Sequence, residues 1–228
     1  MLTIIAKIKK ASFIRRMLKL VFMLLSIMPV KRNLIVFESF SGKQYSCNPR
    51  AIYEYLLGHE NGYQLIWSAN QNVIPLFEKE RVPYVKRLSF QWFFVVARAN
   101  YWVTNSRMPS WVRKPSHTTY IQTWHGTPLK RLVADMEEVH MPGTTRDNYI
   151  RNFHRESSQW DYLISPNRYS TEIFRRAFHF NKEVIESGYP RNDALINKNC
   201  PEVISEIKKE LKLPQDKKNY SLRSDVER

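Results

Sequence analysis

The sequence predicts an open, doubly wound α/β layer on a parallel sheet. Three observations carry that expectation. Apolar runs of strand length recur from residue 33 onward, helical patterns separate them, and Ser, Asn, Gly and Pro punctuate the junctions. Strands joined by helices of this length need crossover connections, and crossovers make parallel sheets covered on both faces.

Taken in order, "NLIVFESF" reads as a buried strand, and Asn48 and Pro49 suit the cap and first position of a helix running through "RAIYEYLLGH". "YQLIWSAN" is a second strand, followed by a short helix from about Val73 to Lys79, and "VPYVKRL" is a third strand. Ser89 is placed to cap the aromatic helix "FQWFFVVARA". "YWVTNS", "TTYIQTW" and "DYLISP" supply further strands, and "YSTEIFRRAF" and "KEVIESGYP" repeat the helix and strand alternation. No internal repeat or low-complexity segment interrupts the series.

Composition bounds the chemistry. With 228 residues, 43% hydrophobic and 13% aromatic, the chain can pack a core, which excludes a disordered class. Cys47 and Cys200 are the only cysteines and have no metal-ligand spacing, so no disulfide framework, metal or cofactor is expected, and a reducing compartment fits. The net charge of +15 is uneven: Lys7, Lys9, Lys10, Arg15, Arg16, Lys19, Lys31 and Arg32 precede the first acidic residue, Glu38. They flank the apolar run Leu20 to Val30, which is too short to span a bilayer. Pro29, Val30, Lys31 and Arg32 offer no small-residue cleavage site, which argues against a signal peptide. Residues 1–32 therefore read as a basic amphipathic helix lying on an anionic membrane surface, ahead of the alternative of a plain core helix.

In doubly wound sheets, ligands sit beyond the carboxyl ends of the strands, so the strand-to-helix corners are the places to look. "IQTWHGTPLKRL" is one. The strand is expected to end near Trp124, Gly126 to permit a tight turn, and a helix to begin with Thr127 as cap and Pro128 at its first position. Such a helix start would favour an anion, with Lys130 and Arg131 adding charge, and His125 beside it has the chemistry of a general base. A histidine that merely packs a turn satisfies the same pattern, and spacing alone does not choose. In "SGYPRND", Gly188 suits a turn, and Arg191 reads equally as an anion ligand or as the partner of Asp193. Glu38, Ser39 and Ser41 are expected to cap a loop ahead of touching a ligand. His59, His117, His140, His154 and His179 share no metal-like spacing and default to surface or structural roles. Nucleic acid, the usual partner of a basic chain, finds no recognition motif.

"VFESFSGKQYSCNPRAIYEYL", "YWVTNSRMPSW", "QTWHGTPLKRL", "SPNRYSTEIFRRAF" and "SGYPRNDAL" together resemble, in order from about Asn33 to Asn197, the CDP-glycerol glycerophosphotransferase family of teichoic-acid synthesis. The resemblance implies a Rossmann-like domain, residues 33–213, forming the first half of a GT-B-like two-domain enzyme held peripherally at the cytoplasmic face of the cell membrane. It implies that an acceptor hydroxyl on a lipid-linked polyanion attacks the β-phosphate of CDP-glycerol and that CMP leaves. On the matching positions it implies His125 as general base, with Gly126 and Thr127 forming the turn beside the reacting phosphate. Lys130 and Arg191 are expected to bind substrate. The family's second half would supply most of the nucleotide site.

Where that second half usually opens with a strand like "KIILYAPTWR", this chain reads "KNYSLRSDVER". One permitted coding of those residues, read with a single base skipped, spells "IILYAPTWR". Residues 214–228 are therefore expected to be an out-of-frame tail, and the chain a truncated form with little transferase activity of its own. Two other readings stand beside it: a non-catalytic, membrane-bound acceptor-binding module, and a transferase of another CDP-activated polyol such as CDP-ribitol.

Overall fold

The computed structural model describes residues 2–59, 62–139 and 143–218. Seven strands, β1 (Lys31–Glu38), β2 (Gln64–Ala69), β3 (Tyr84–Lys86), β4 (Ala99–Thr104), β5 (Thr119–Gln122), β6 (Tyr162–Ser165) and β7 (Glu183–Glu186), form one sheet in the order β3-β2-β1-β4-β5-β6-β7. Every neighbouring pair is parallel. The order reverses at β1, so the crevice between the ends of β1 and β4 is the topological switch point.

The helices are α1 (Leu2–Leu25), α2 (Cys47–Leu57), α3 (Ile74–Lys79), α4 (Phe90–Arg98), α5 (Arg146–Ser157) and α6 (Arg168–Phe178), followed by α7 (Asp193–Asn197) and α8 (Pro201–Glu210). The chain divides after Arg191 into two compact units, the second running from Asn192 and containing α7 and α8. In that unit Lys208 Nζ donates to the carbonyls of Gln215, at 2.9 Å, and Lys217, at 2.8 Å. Residues 219–228, most of the expected out-of-frame tail, lie outside the described residues, as does His140.

Alternation along β1 explains the two cores of the first unit. Leu34 and Val36 point into one apolar cluster with Trp92, Val96, Trp102, Tyr120 and Phe178, while Ile35 and Phe37 point into the other with Tyr53, Trp67 and Phe77. A strand buried on both faces reads as an unbroken apolar run, which is why "LIVF" carried no polar alternation. Ser89 caps α4 as expected, its side chain accepting from Trp92 N–H. Gly42, at φ +78, sits against the sheet: a Cβ there would lie 2.9 Å from Arg87 Cδ and 3.1 Å from the Ser68 carbonyl, so only glycine fits without displacing backbone.

The basic arm is helical, with one side packed into the core and another exposed. Phe22 is buried among the rings of Trp92, Phe93, Trp102 and Trp111, with Leu18 and Leu25 packed beside it. Phe13, Met17, Leu20 and Leu24, spaced along the other side, are exposed. From Phe13 onward apolar residues thus occupy both faces, so the helix is less sharply amphipathic than its composition suggested. No helix among the described residues is long and apolar enough to cross a membrane.

Candidate active site at the carboxyl edge of the sheet

The loops after β1, β4 and β5 meet at the switch point, and two asparagines tie them together. Asn105, just past β4, accepts from Phe40 N–H at 2.7 Å and donates to Ser39 Oγ at 3.1 Å. Asn48, wholly buried, donates to the carbonyls of Thr123 and Trp124, each at 3.1 Å, and accepts from Arg191 N–H at 3.3 Å. Asn48 is therefore not the cap of α2, whose cap position is Ser46. Its amide does long-range work that its place before a proline hid.

His125 sits where these loops converge. Its Nδ1 lies 2.7 Å from the Asn105 carbonyl oxygen, its ring stacks on Trp124 at 4.5 Å, and Phe40 meets it edge-on at 5.4 Å. A carbonyl can only accept, so Nδ1 carries the proton of the neutral ring and Nε2 is the basic nitrogen. Burial pushes the imidazole below its ordinary range; the Asn105 carbonyl acts the other way, and the Arg191 charge adds to the lowering. Burial and Arg191 thus favour the unprotonated ring.

Arg191 is brought to this corner from the turn after β7. Its Nη1 donates to the His125 carbonyl at 2.9 Å and lies 3.0 Å from Cys47 Sγ, and its guanidinium covers the Tyr189 ring at 4.9 Å. Tyr189 OH donates to the Gly126 carbonyl at 2.8 Å. His125, Gly126 and Arg191 are thus assembled as one cluster.

Thr127 and Lys130 are not drawn into it. Both are exposed, and no helix begins at Thr127: the segment is irregular until a short 3-10 turn at Val133–Asp135. The Thr127 carbonyl, which would accept the first helical bond, is taken by Leu129 N–H at 2.9 Å, a three-residue turn centred on Pro128. The expected helix-terminus anion site at this corner is accordingly absent, and Arg131 is engaged by Glu137. Nor is Gly126 the residue that makes the bend. Trp124 takes the left-handed conformation, at φ +51, held by Gln122 Oε1 on its N–H and by Asn48 on its carbonyl.

Most of the other candidate residues make contacts within the fold. Glu38 is buried and accepts from Ser68 Oγ at 2.6 Å and Arg87 Nε at 2.9 Å. Ser41 donates its N–H to Ser106 Oγ at 2.7 Å. His59 faces the Tyr55 carbonyl, His117 the Ala97 carbonyl, and His154 and His179 face each other at 5.5 Å. Among the described residues no group of three or more His, Cys, Asp or Glu side chains is placed to hold a metal ion.

Residues 20–221 match the model of the family described as CDP-Glycerol:Poly(glycerophosphate) glycerophosphotransferase. The chain belongs to this family. It is 60% identical over 220 residues to the teichoic acid poly(glycerol phosphate) polymerase of Bacillus subtilis (strain 168), which covers 94% of this chain and 30% of that relative. The teichoic acid glycerol-phosphate transferase of Staphylococcus aureus (strain NCTC 8325 / PS 47) is 51% identical over 199 residues, covering 86% of this chain and 51% of that one. A solved structure of the wall teichoic acid polymerase TagF, from a crystal soaked with CDPG, superposes with a TM-score of 0.78 at 45% identity, covering 91% of this chain and 52% of that chain. This member of the glycerophosphotransferase family therefore spans between about a third and half the length of these relatives. The likeness extends to the fold: the parallel α/β sheet is that of the GT-B-like polymerase half it matches.

Proposed function

We propose that this chain carries the acceptor-side half of a glycerol phosphate transfer centre. The observation that carries the reading is the imidazole of His125, its Nδ1 held on the Asn105 carbonyl, at the switch point of a family member's sheet. In the proposed reaction His125 Nε2 takes the proton of an acceptor hydroxyl. That oxygen forms a bond to the β-phosphorus of CDP-glycerol, the phosphoanhydride bond breaks, and CMP leaves with its electron pair. Phosphoryl-linked transfer depends mainly on positioning and charge neutralisation, so a rigid base beside a cation suits it. Gly126 and Arg191 hold the corner, and Thr127 and Lys130 form an exposed border that an incoming substrate can meet.

The acceptor is taken to be a lipid-linked polyanion, and the chain to work peripherally at the cytoplasmic face of the membrane. In support, α1 exposes Phe13, Met17, Leu20 and Leu24 beside Arg16, apolar and cationic groups suited to an anionic lipid surface.

The test is a segment swap. This chain replaces the matching segment of the Bacillus subtilis polymerase, and glycerol phosphate incorporation from CDP-glycerol is measured. The swapped enzyme is expected to transfer, and His125→Ala to lower kcat by about 100-fold or more, the scale of a lost general base. Unchanged turnover in His125→Ala would sink the reading. Robust transfer by the 228-residue chain alone would show that it needs no donor half.

A further inference from the structure

A cavity of about 780 Å³ opens on the loops after β1 and β4, its wall carrying Arg15, Arg87, Arg107 and Arg155 together with Ser41 and Ser106. Its size falls within the range of small-ligand sites. The arginines come from four separate elements: α1, the turn after β3, the loop after β4, and α5. Arg15, Arg107 and Arg155 form no ion pair among the described residues. Two of the four guanidinium groups are held in place. Arg87 spends its Nε on buried Glu38 at 2.9 Å, and Arg107 stands over the Phe153 ring at 5.1 Å. The carboxylate on the wall, Glu156, is turned inward, its Oε1 accepting from Met108 N–H at 3.1 Å and Tyr120 OH at 3.0 Å. Burial pushes its carboxyl up, towards the neutral form.

Convergent guanidinium groups, three of the four outside any ion pair among the described residues and all next to hydroxyl donors, are the chemistry that binds phosphate oxygens. The cavity is also placed for it. Ser41 and Ser106 follow in sequence the two residues that contact the His125 ring, Phe40 and Asn105. We infer that this cavity is a subsite for a phosphodiester-bearing ligand, seating phosphates of the acceptor chain while its terminal hydroxyl reaches His125. The ligand's identity rests on the transfer reading above; the anion chemistry of the cavity does not.

The full chain is titrated calorimetrically with a short synthetic glycerol phosphate oligomer, and separately with phosphatidylglycerol-containing vesicles against pure phosphatidylcholine vesicles. Arg107→Gln/Arg155→Gln removes two exposed cavity charges. Arg81→Gln/Arg151→Gln removes two exposed charges elsewhere and serves as the control. The cavity pair is expected to weaken oligomer binding at least about tenfold, the control pair less than about twofold, because charge-assisted hydrogen bonds are lost only in the first. A selective loss confined to the vesicle arm would assign the phosphodiester to a lipid headgroup. Equal losses in both pairs, or none in either arm, would overturn the subsite. Arg155→Gln alone leaves the ring contact of Arg107 intact and guards against a folding defect. If the segment-swapped enzyme fails to transfer while selective oligomer binding persists, the reaction falls and the cavity stands; the reverse result removes only the cavity.

Discussion

At the residue scale, the imidazole of His125 is the most informative group, because its surroundings set both its tautomer and its charge. Burial and Arg191 both favour the neutral ring, so an NMR titration of this histidine is expected to have its midpoint below the ordinary imidazole value of 6.5. Arg191→Gln removes one of those causes and is expected to move the midpoint up; a midpoint that stays or falls would mean Arg191 does not act on the ring. A histidine whose folded pKa is lowered binds its proton more readily when unfolded, so its contribution to stability falls as pH drops through the ordinary value. Asn48 makes a separate prediction. Its buried amide satisfies two carbonyls of the backbone bend at Trp124. Asn48→Ala is expected to cost about 2 kcal/mol in denaturant melts, the scale of buried groups left without partners.

At the element scale, α1 has a buried side and an exposed side. Phe22 closes a cluster of four aromatic rings, and Phe22→Ala is expected to destabilise by about 3–5 kcal/mol, as truncation of a fully buried phenylalanine does. Phe13→Glu/Met17→Glu lies on the exposed side and is expected to leave the melt nearly unchanged while reducing sedimentation with anionic vesicles. Retained sedimentation would argue that charge alone, and not this face, drives the association. The junction of β5 and β6 is pinned differently. Asp161 meets Lys114 at 2.8 Å, Lys182 at 3.5 Å and Tyr120 N–H at 2.8 Å. Burial alone would raise its carboxyl, but these partners together hold it below the usual carboxylate range. A lowered folded pKa gives stability that is complete above the unfolded value and lost as pH falls through the folded one. The destabilisation of Asp161→Asn relative to the parent, measured at pH 7, is therefore expected to shrink once the pH is taken below about 4.

At the scale of the whole molecule, the sequence determined the class of fold and pointed to the sheet edge where the candidate site lies. Strand-length apolar runs such as "LIVF" and "YWVT" must be buried on both faces, and the helices between them force parallel crossovers. That logic led to the doubly wound sheet and to "TWHGTP" at the edge where ligands bind. Local patterns also found the cap at Ser89. They missed α5, whose charged surface leaves only Tyr149, Ile150 and Phe153 as an apolar stripe, although Thr145 accepts from Asn148 N–H as a cap should. They misplaced a helix at Thr127, because cap and proline preferences concern nearest neighbours, while Tyr189 reaches Gly126 across 63 residues. What only the tertiary structure decided was the company His125 keeps. The tautomer, the neighbouring Arg191, the amide of Asn48 and the four-arginine cavity all come from residues far apart in the chain. Periodicity records which faces are buried, but hydrogen bonds between loops depend on where the sheet's twist brings their ends together.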